Sequence, residues 1–266
     1  MITLLTDFGT ADYFVGAMKG AILSVAAAAR IVDITHEIPP LDIEAGAFTL
    51  LAAYQTFPKQ TIHVAVVDPG VGSARRPIVV ASQNYFFIGP DNGLFSYVLE
   101  REQNCRVFHL TNEKYFRPSL SQTFHGRDVF APVAAALSKG VEPAAFGALI
   151  TDYKRLAPLS PNRAKGGEIA ARIIHIDRFG NCITNLTREE LTDKMISGGA
   201  RLRINEIEIK SFKRFFAEDL NSPEELFGVW GSAGFLEIAA FGASAARLLG
   251  IERGQQIILT SGGKQN

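Results

Sequence analysis

Acids and bases stand at the ends of apolar runs in this 266-residue chain, and in open α/β sheets such strand ends are where ligands bind. Asp7 follows the run Ile2-Thr3-Leu4-Leu5, and Asp68 follows Ile62 to Val67. In Thr6-Asp7-Phe8-Gly9-Thr10 the glycine lets the chain turn closely past a ligand, and the carboxylate can accept hydrogen bonds from a ribose diol. The same Asp-x-Gly also reads as a plain turn or helix cap. The loop Asp68-Pro69-Gly70-Val71-Gly72-Ser73-Ala74-Arg75-Arg76-Pro77 carries one acid and two bases on a path restricted by two prolines and two glycines. A rigid charged loop of this kind is a site candidate, or an Asp-Arg pair that only staples the loop. It is neither a dinucleotide fingerprint nor a phosphate-binding P-loop, because the third glycine and the Gly-Lys-Ser/Thr ending are missing. In Phe124-His125-Gly126-Arg127-Asp128 the imidazole precedes a predicted helix, whose N-terminus disfavours the protonated ring and so suits a general base, though a histidine at such a junction also reads as structural. His36-Glu37 opens like a zinc-protease motif, but Pro40 stands where the second histidine belongs. Later, His175-Ile176-Asp177-Arg178-Phe179-Gly180-Asn181 and Gly231-Ser232-Ala233-Gly234-Phe235-Leu236-Glu237 present polar groups that suit an amide-like edge or an amino acid, or simply form turns.

The elements that must position these groups fall into two sets. Up to about residue 150, the runs Ile2-Leu5, Ile31-Ile34, Ile62-Val67, Ile78-Ala81, Tyr85-Ile88 and Val107-Leu110 read as strands. They alternate with helix-period stripes: Phe14, Met18, Ile22 and Val25, then Ile43, Ala47, Leu50, Leu51 and Tyr54. Asp128 to Lys139 reads as a further helix, with Pro132 near its first turn and Gly140 as its stop. That alternation predicts an α/β domain with a mostly parallel sheet, over residues 1–155. The segment from Thr151 to Gly167 loses apolar periodicity and reads as a connection. Beyond it, Ile169-Ile176, Arg201-Ile209, Leu236-Ala239 and Gln256-Leu259 read as strands, with helical pattern only around Leu220-Phe227. A smaller β-barrel domain over residues 156–266 is the expectation.

Composition narrows the partners. Lys plus Arg and Asp plus Glu both number 27, so neither a net field nor a basic run invites nucleic acid or a membrane surface. No apolar stretch approaches a membrane span, and the start reaches Asp7 too soon for a signal peptide, which predicts a cytoplasmic protein. The two cysteines, Cys105 and Cys182, form no metal or disulfide pattern and are expected to be buried thiols.

Taken together, the segments resemble the S-adenosylmethionine hydroxide adenosyltransferases, relatives of the bacterial fluorinase and chlorinase. The match runs through Thr6-Asp7-Phe8-Gly9-Thr10, Val32-Asp33-Ile34-Thr35-His36, Val67-Asp68-Pro69-Gly70-Val71-Gly72, Gly89-Pro90-Asp91-Asn92-Gly93, Phe124-His125-Gly126-Arg127-Asp128, Asp177-Arg178-Phe179-Gly180-Asn181 and Leu236-Glu237-Ile238-Ala239. The resemblance implies an N-terminal α/β sandwich, a C-terminal β-barrel and a homotrimer whose sites form between one subunit's first domain and a neighbour's second. It implies hydrolysis of S-adenosylmethionine to adenosine and methionine, with no metal and no cofactor. By the same resemblance the water-binding triad falls on Asp68, Arg75 and His125, and the ribose acid on Asp7. Asp12 is expected at the methionine amino group, and Asp177, Asn181, Ser232, Glu237 and the main chain near Ala240 at the rest of the ligand. Halogenating relatives place a Tyr where this chain has Asp68 and a small hydroxyl residue or Gly near Gly126. A halogenase, or an adenosine-binding protein without turnover, is the alternative. The chain departs from many relatives at Ala240-Phe241-Gly242, where they carry an Asn.

Overall fold

Strand β1, Ile2–Thr6, is buried at all five positions, as befits a strand covered on both faces. The computed structural model describes residues 1–163, 168–218 and 225–261. Contacts divide the chain into Met1–Pro158 and Leu159–Asn266.

In the first unit β1 is followed by α1 (Phe14–Val25), β2 (Ile31–Thr35), α2 (Ile43–Ala53), β3 (Ile62–Val66), β4 (Pro77–Ala81), β5 (Phe86–Pro90), α3 (Ser96–Arg101), β6 (Arg106–His109), α4 (Ala131–Ser138) and β7 (Leu149–Ile150). The sheet order is β2-β1-β3-β5-β4-β6-β7. The first four of these pair in parallel, and the sheet continues antiparallel through β4, β6 and β7. The change has a local cause: residues 82–85 between β4 and β5 close with Ser82 N–H donating to the Tyr85 carbonyl at 2.9 Å. So short a link makes a hairpin, because a parallel crossover needs a dozen or more residues. On one face Leu4, Val64 and Val66 pack with Met18 and Ile22 of α1 and Val133 of α4.

The helix predicted from Asp128 begins earlier, as a π-helical turn at Gly126–Phe130 that runs into α4. Pro132 has no N–H for the Asp128 carbonyl; the Arg117 N–H donates to that carbonyl instead, at 2.9 Å. The predicted connection is likewise anchored at its start. Arg76 donates to Asp152 at 2.8 Å, and the N–H groups of Lys154 and Leu156 donate to buried Asp91 and Ser96.

The opposite face of the first sheet buries His63 completely, with its Nδ1 2.7 Å from the Thr3 hydroxyl and its ring stacked on Phe87. Burial holds its pKa at about 3, against 6.5 for a free histidine. Above pH 6.5 the ring is neutral folded or unfolded. Below it only the unfolded chain takes the proton, so stability is lost as pH falls toward about 3, by roughly 1.4 kcal/mol per pH unit. Urea unfolding at pH 7 and pH 4.5 is therefore expected to show a wild-type loss larger by roughly 2–3 kcal/mol than that of His63→Gln; parallel losses would refute this account.

The second unit contains β8 (Asn162–Arg163), β9 (Ile169–Ile176), β10 (Cys182–Thr184), α5 (Asp193–Ser197), β11 (Arg201–Ile204), β12 (Ile207–Ile209), β13 (Ser211–Lys213), β14 (Leu226–Trp230), β15 (Leu236–Ala240), α6 (Ala245–Leu249) and β16 (Gln256–Thr260). These nine strands follow the order β12-β11-β16-β9-β10-β15-β14-β13, with β8 on β9, and curl into a nearly closed barrel. Ile173, Cys182, Leu202, Ile238 and Ile257 fill its core. The run Arg201-Ile209, expected as one strand, is the β11–β12 hairpin. Asn205 takes the left-handed conformation, φ 50°, that a two-residue hairpin turn demands. Of the helix expected around Leu220-Phe227, residues 220–224 lie outside the described residues, and Leu226 and Phe227 open β14 instead, with Phe227 buried against Ala239. Cys182 is buried and its thiol pushed up to about 12, whereas Cys105 is only partly covered. Among the described residues no helix is long and apolar enough to cross a membrane.

Candidate active site

The chain leaves β3 at Val66 and delivers Asp68 two residues past its end. Asn92 fixes that exit, its side-chain amide donating to the Val67 carbonyl at 2.8 Å. The loop then folds back so that Arg75 reaches Asp68 through two parallel hydrogen bonds, Nε to Oδ1 at 3.1 Å and Nη2 to Oδ2 at 2.5 Å. Gly72 permits the fold: its φ is 78°, and a β-carbon there would lie 2.3 Å from the Gln122 carbonyl. Arg76, the second base, turns away to Asp91 and Asp152 and holds the loop's far end. Of the two arginines, Arg75 is the one that reaches Asp68.

His125 completes the group, with its Nδ1 3.1 Å from Arg75 Nη2. Its loop is tied by Asp128, fully buried, which accepts from Ser121 N–H at 2.8 Å and from Arg127 Nε at 2.7 Å. The Asp68 and Arg75 side chains are 5% and 4% exposed. Burial lifts the Asp68 carboxyl above its ordinary range even against the pull of Arg75. Burial and then the Arg75 charge lower the His125 pKa, so the neutral ring expected from a helix N-terminus has these causes instead. The guanidinium keeps one buried nitrogen, Nη1, without a hydrogen-bond partner among the described residues. Beside His125, a β-carbon on Gly126 would lie 3.1 Å from Met18 Sδ and 3.3 Å from Phe124, so the position has little room for a side chain.

Asp7 sits past the end of β1. One of its carboxylate oxygens accepts from Leu41 N–H at 2.8 Å, and Leu41 is held at φ 66°. His36 is structural, bonded to Thr6 at 2.9 Å and facing Asp33 at 3.1 Å. Asp12 is exposed between β1 and α1, and no hydrogen bond links it to Asp7 or to the triad.

In the barrel unit, Asp177, Asn181, Ser232, Glu237 and Ala240 all line one cavity of about 1130 Å³. Asp177 spends its carboxylate locally: it accepts from Phe179 N–H, Asn181 N–H and the Asn181 side chain, each at 2.9 Å. The turn reading of this segment therefore holds, and it sets Asn181 in the cavity wall. Burial, and then Asp177, push the Glu237 carboxyl upward. Trp230, Phe216 and Arg247 also line the cavity and were not singled out from the sequence. The only available signal was Trp230, the chain's single tryptophan, whose ring lies 4.7 Å from the Arg188 guanidinium. No cluster of three or more His, Cys, Asp or Glu able to hold a metal occurs among the described residues.

The model of the SAM hydroxide adenosyltransferase N-terminal domain matches residues 2–147 and that of the C-terminal domain residues 171–258. The chain belongs to the SAM hydroxide adenosyltransferase family. It is 40% identical to the (R)-S-adenosyl-L-methionine hydrolase of Methanocaldococcus jannaschii, over 95% of this chain and 92% of that one. It is 35% identical to the hydrolase of the same name from Thermus thermophilus, over 97% and 98%. The fluorinase of an Actinoplanes species is 28% identical over 77% of each chain. A solved structure of a conserved protein from Thermotoga maritima superposes with a TM-score of 0.90 at 31% identity, covering 97% of this chain and 99% of that one.

Proposed function

We propose that this protein hydrolyses S-adenosylmethionine to adenosine and methionine, through water held by Asp68, Arg75 and His125. The observation that carries the reading is Arg75. It is buried and doubly bonded to Asp68 with His125 alongside, and it keeps a free Nη1 donor. A buried donor without a partner is costly unless something polar meets it. Water there can be oriented, and its proton taken by Asp68, with its raised pKa, or by His125, with its lowered one. The water oxygen attacks the ribose C5′, the C5′–S bond breaks with its electron pair passing to sulfur, and the proton leaves by way of the acceptor to solvent. The sulfonium departs as a neutral thioether, so no leaving-group acid is needed. Asp7 holds the ribose, and the barrel residues hold the rest of the ligand.

Halogenation is disfavoured on the same residues. A carboxylate at Asp68 repels a halide. Asp177, Asn181, Ser232, Glu237 and Ala240 serve a neighbouring subunit's triad in a cytoplasmic homotrimer, as cyclic symmetry closes every such contact. The reaction uses no metal and no cofactor. Incubation with S-adenosylmethionine is expected to release adenosine and methionine at a rate that chelators leave unchanged. Binding without release would make it an adenosine-binding protein, and loss on chelation restored by one divalent ion would overturn the metal-free chemistry.

A further inference from the structure

Gly231 follows β14 and opens the turn to β15: its N–H donates to the Phe235 carbonyl at 2.9 Å, and its carbonyl accepts from Gly234 N–H at 3.1 Å. Gly234 needs its glycine for backbone reasons, at φ 83°, whereas Gly231 does not adopt a left-handed φ. Any residue could follow the backbone there. What excludes a side chain is Glu237. A β-carbon on Gly231 would lie 1.9 Å from Glu237 Oε1, 2.5 Å from Cδ and 2.8 Å from Cγ. The register explains the meeting. Glu237 pairs with Val229, so positions 231 and 237 are diagonal neighbours on one face of the β14–β15 ladder. The Glu237 side chain therefore lies over the bare α-carbon, and Gly231, Ser232 and Glu237 line the same cavity with Asp177.

We propose that Gly231 is a positioning residue: the space left by its missing side chain sets where the Glu237 carboxylate meets the cationic substrate, and thereby substrate affinity and not the chemical step. This rests on the proposed function. The sulfonium substrate carries positive charge, and a carboxylate wedged in one orientation meets it without first losing rotamer freedom. In Gly231→Ala the flexible end of Glu237 must move by roughly 1.5 Å to regain ordinary contact distance. Cδ and Cγ, at 2.5 and 2.8 Å, must shift with it, and the carboxylate is taken out of place.

The test compares wild type, Gly231→Ala, Glu237→Asp and Gly231→Ala/Glu237→Asp, with KM and kcat for S-adenosylmethionine and adenosine affinity by calorimetry. Gly231→Ala is expected to raise KM about 10- to 100-fold, the size of a lost charge-assisted contact, with kcat and the melting temperature near wild type. The shorter Asp should recover part of the loss in the double variant, since it has no atom at the Oε1 position that lies 1.9 Å from the new methyl group. A merely structural glycine would not give that rescue. Unchanged KM in Gly231→Ala, an equal fall in kcat, or a double variant no better than Gly231→Ala overturns the proposal. A wild type that neither binds nor cleaves S-adenosylmethionine overturns instead the function on which it rests.

Discussion

Asp68→Ala is expected to lower kcat for S-adenosylmethionine hydrolysis by about a hundred- to ten-thousand-fold, the span of a general base or water-orienting group, while adenosine affinity changes by less than about threefold. The separation follows from geometry. Asp68 is bonded to Arg75, which also reaches His125, whereas the proposed ribose acid, Asp7, lies past the end of a different strand. Alanine also leaves the Arg75 charge buried without its partner, which destabilises by itself. Asp68→Asn therefore accompanies it, keeping the shape and one acceptor but not the charge. Both variants should bind adenosine and fail to turn over. Wild-type turnover in either removes Asp68 from the mechanism; loss of adenosine binding from folded Asp68→Asn makes it a nucleoside ligand instead.

Mixing two crippled variants should restore activity. Asp68→Ala damages the α/β unit and Ser232→Ala the barrel unit, so in the proposed homotrimer each variant alone would have three incomplete sites. If each site draws its α/β half from one subunit and its barrel half from the next, random one-to-one exchange makes about one quarter of sites fully intact. Both variants must be impaired alone, and a tagged pull-down must demonstrate exchange. Activity near a quarter of wild type, from parents with almost none, is the expected outcome. Exchanged hetero-trimers no better than either parent would mean that one chain supplies both halves.

Most strands of the first unit were legible because two-sided burial leaves continuous apolar runs, as in Ile78–Ala81. The triad was legible as an acid and a base on a stiff loop, joined to His125 by family resemblance. Periodicity failed where a turn does not disturb composition. From Arg201 to Ile209 the alternation slips only at the polar pair Asn205-Glu206, where the chain reverses, and every other position keeps it. Pro132 pointed to a helix start, yet the π-helical turn ahead of it depends on Arg117, fifteen residues earlier in the chain, taking the Asp128 carbonyl. Gly231 read as one more turn glycine, because the side chain that requires it lies across the ladder.

The central claim is that water, placed by Asp68, Arg75 and His125, attacks the ribose C5′. Turnover of S-adenosylmethionine in water enriched in oxygen-18, with chloride present, followed by mass spectrometry of the nucleoside, tests it most directly. The account predicts adenosine carrying the heavy oxygen at its 5′ hydroxyl, methionine without it, and no chlorinated nucleoside. Unlabelled adenosine, or 5′-chloro-5′-deoxyadenosine in place of adenosine, would contradict it.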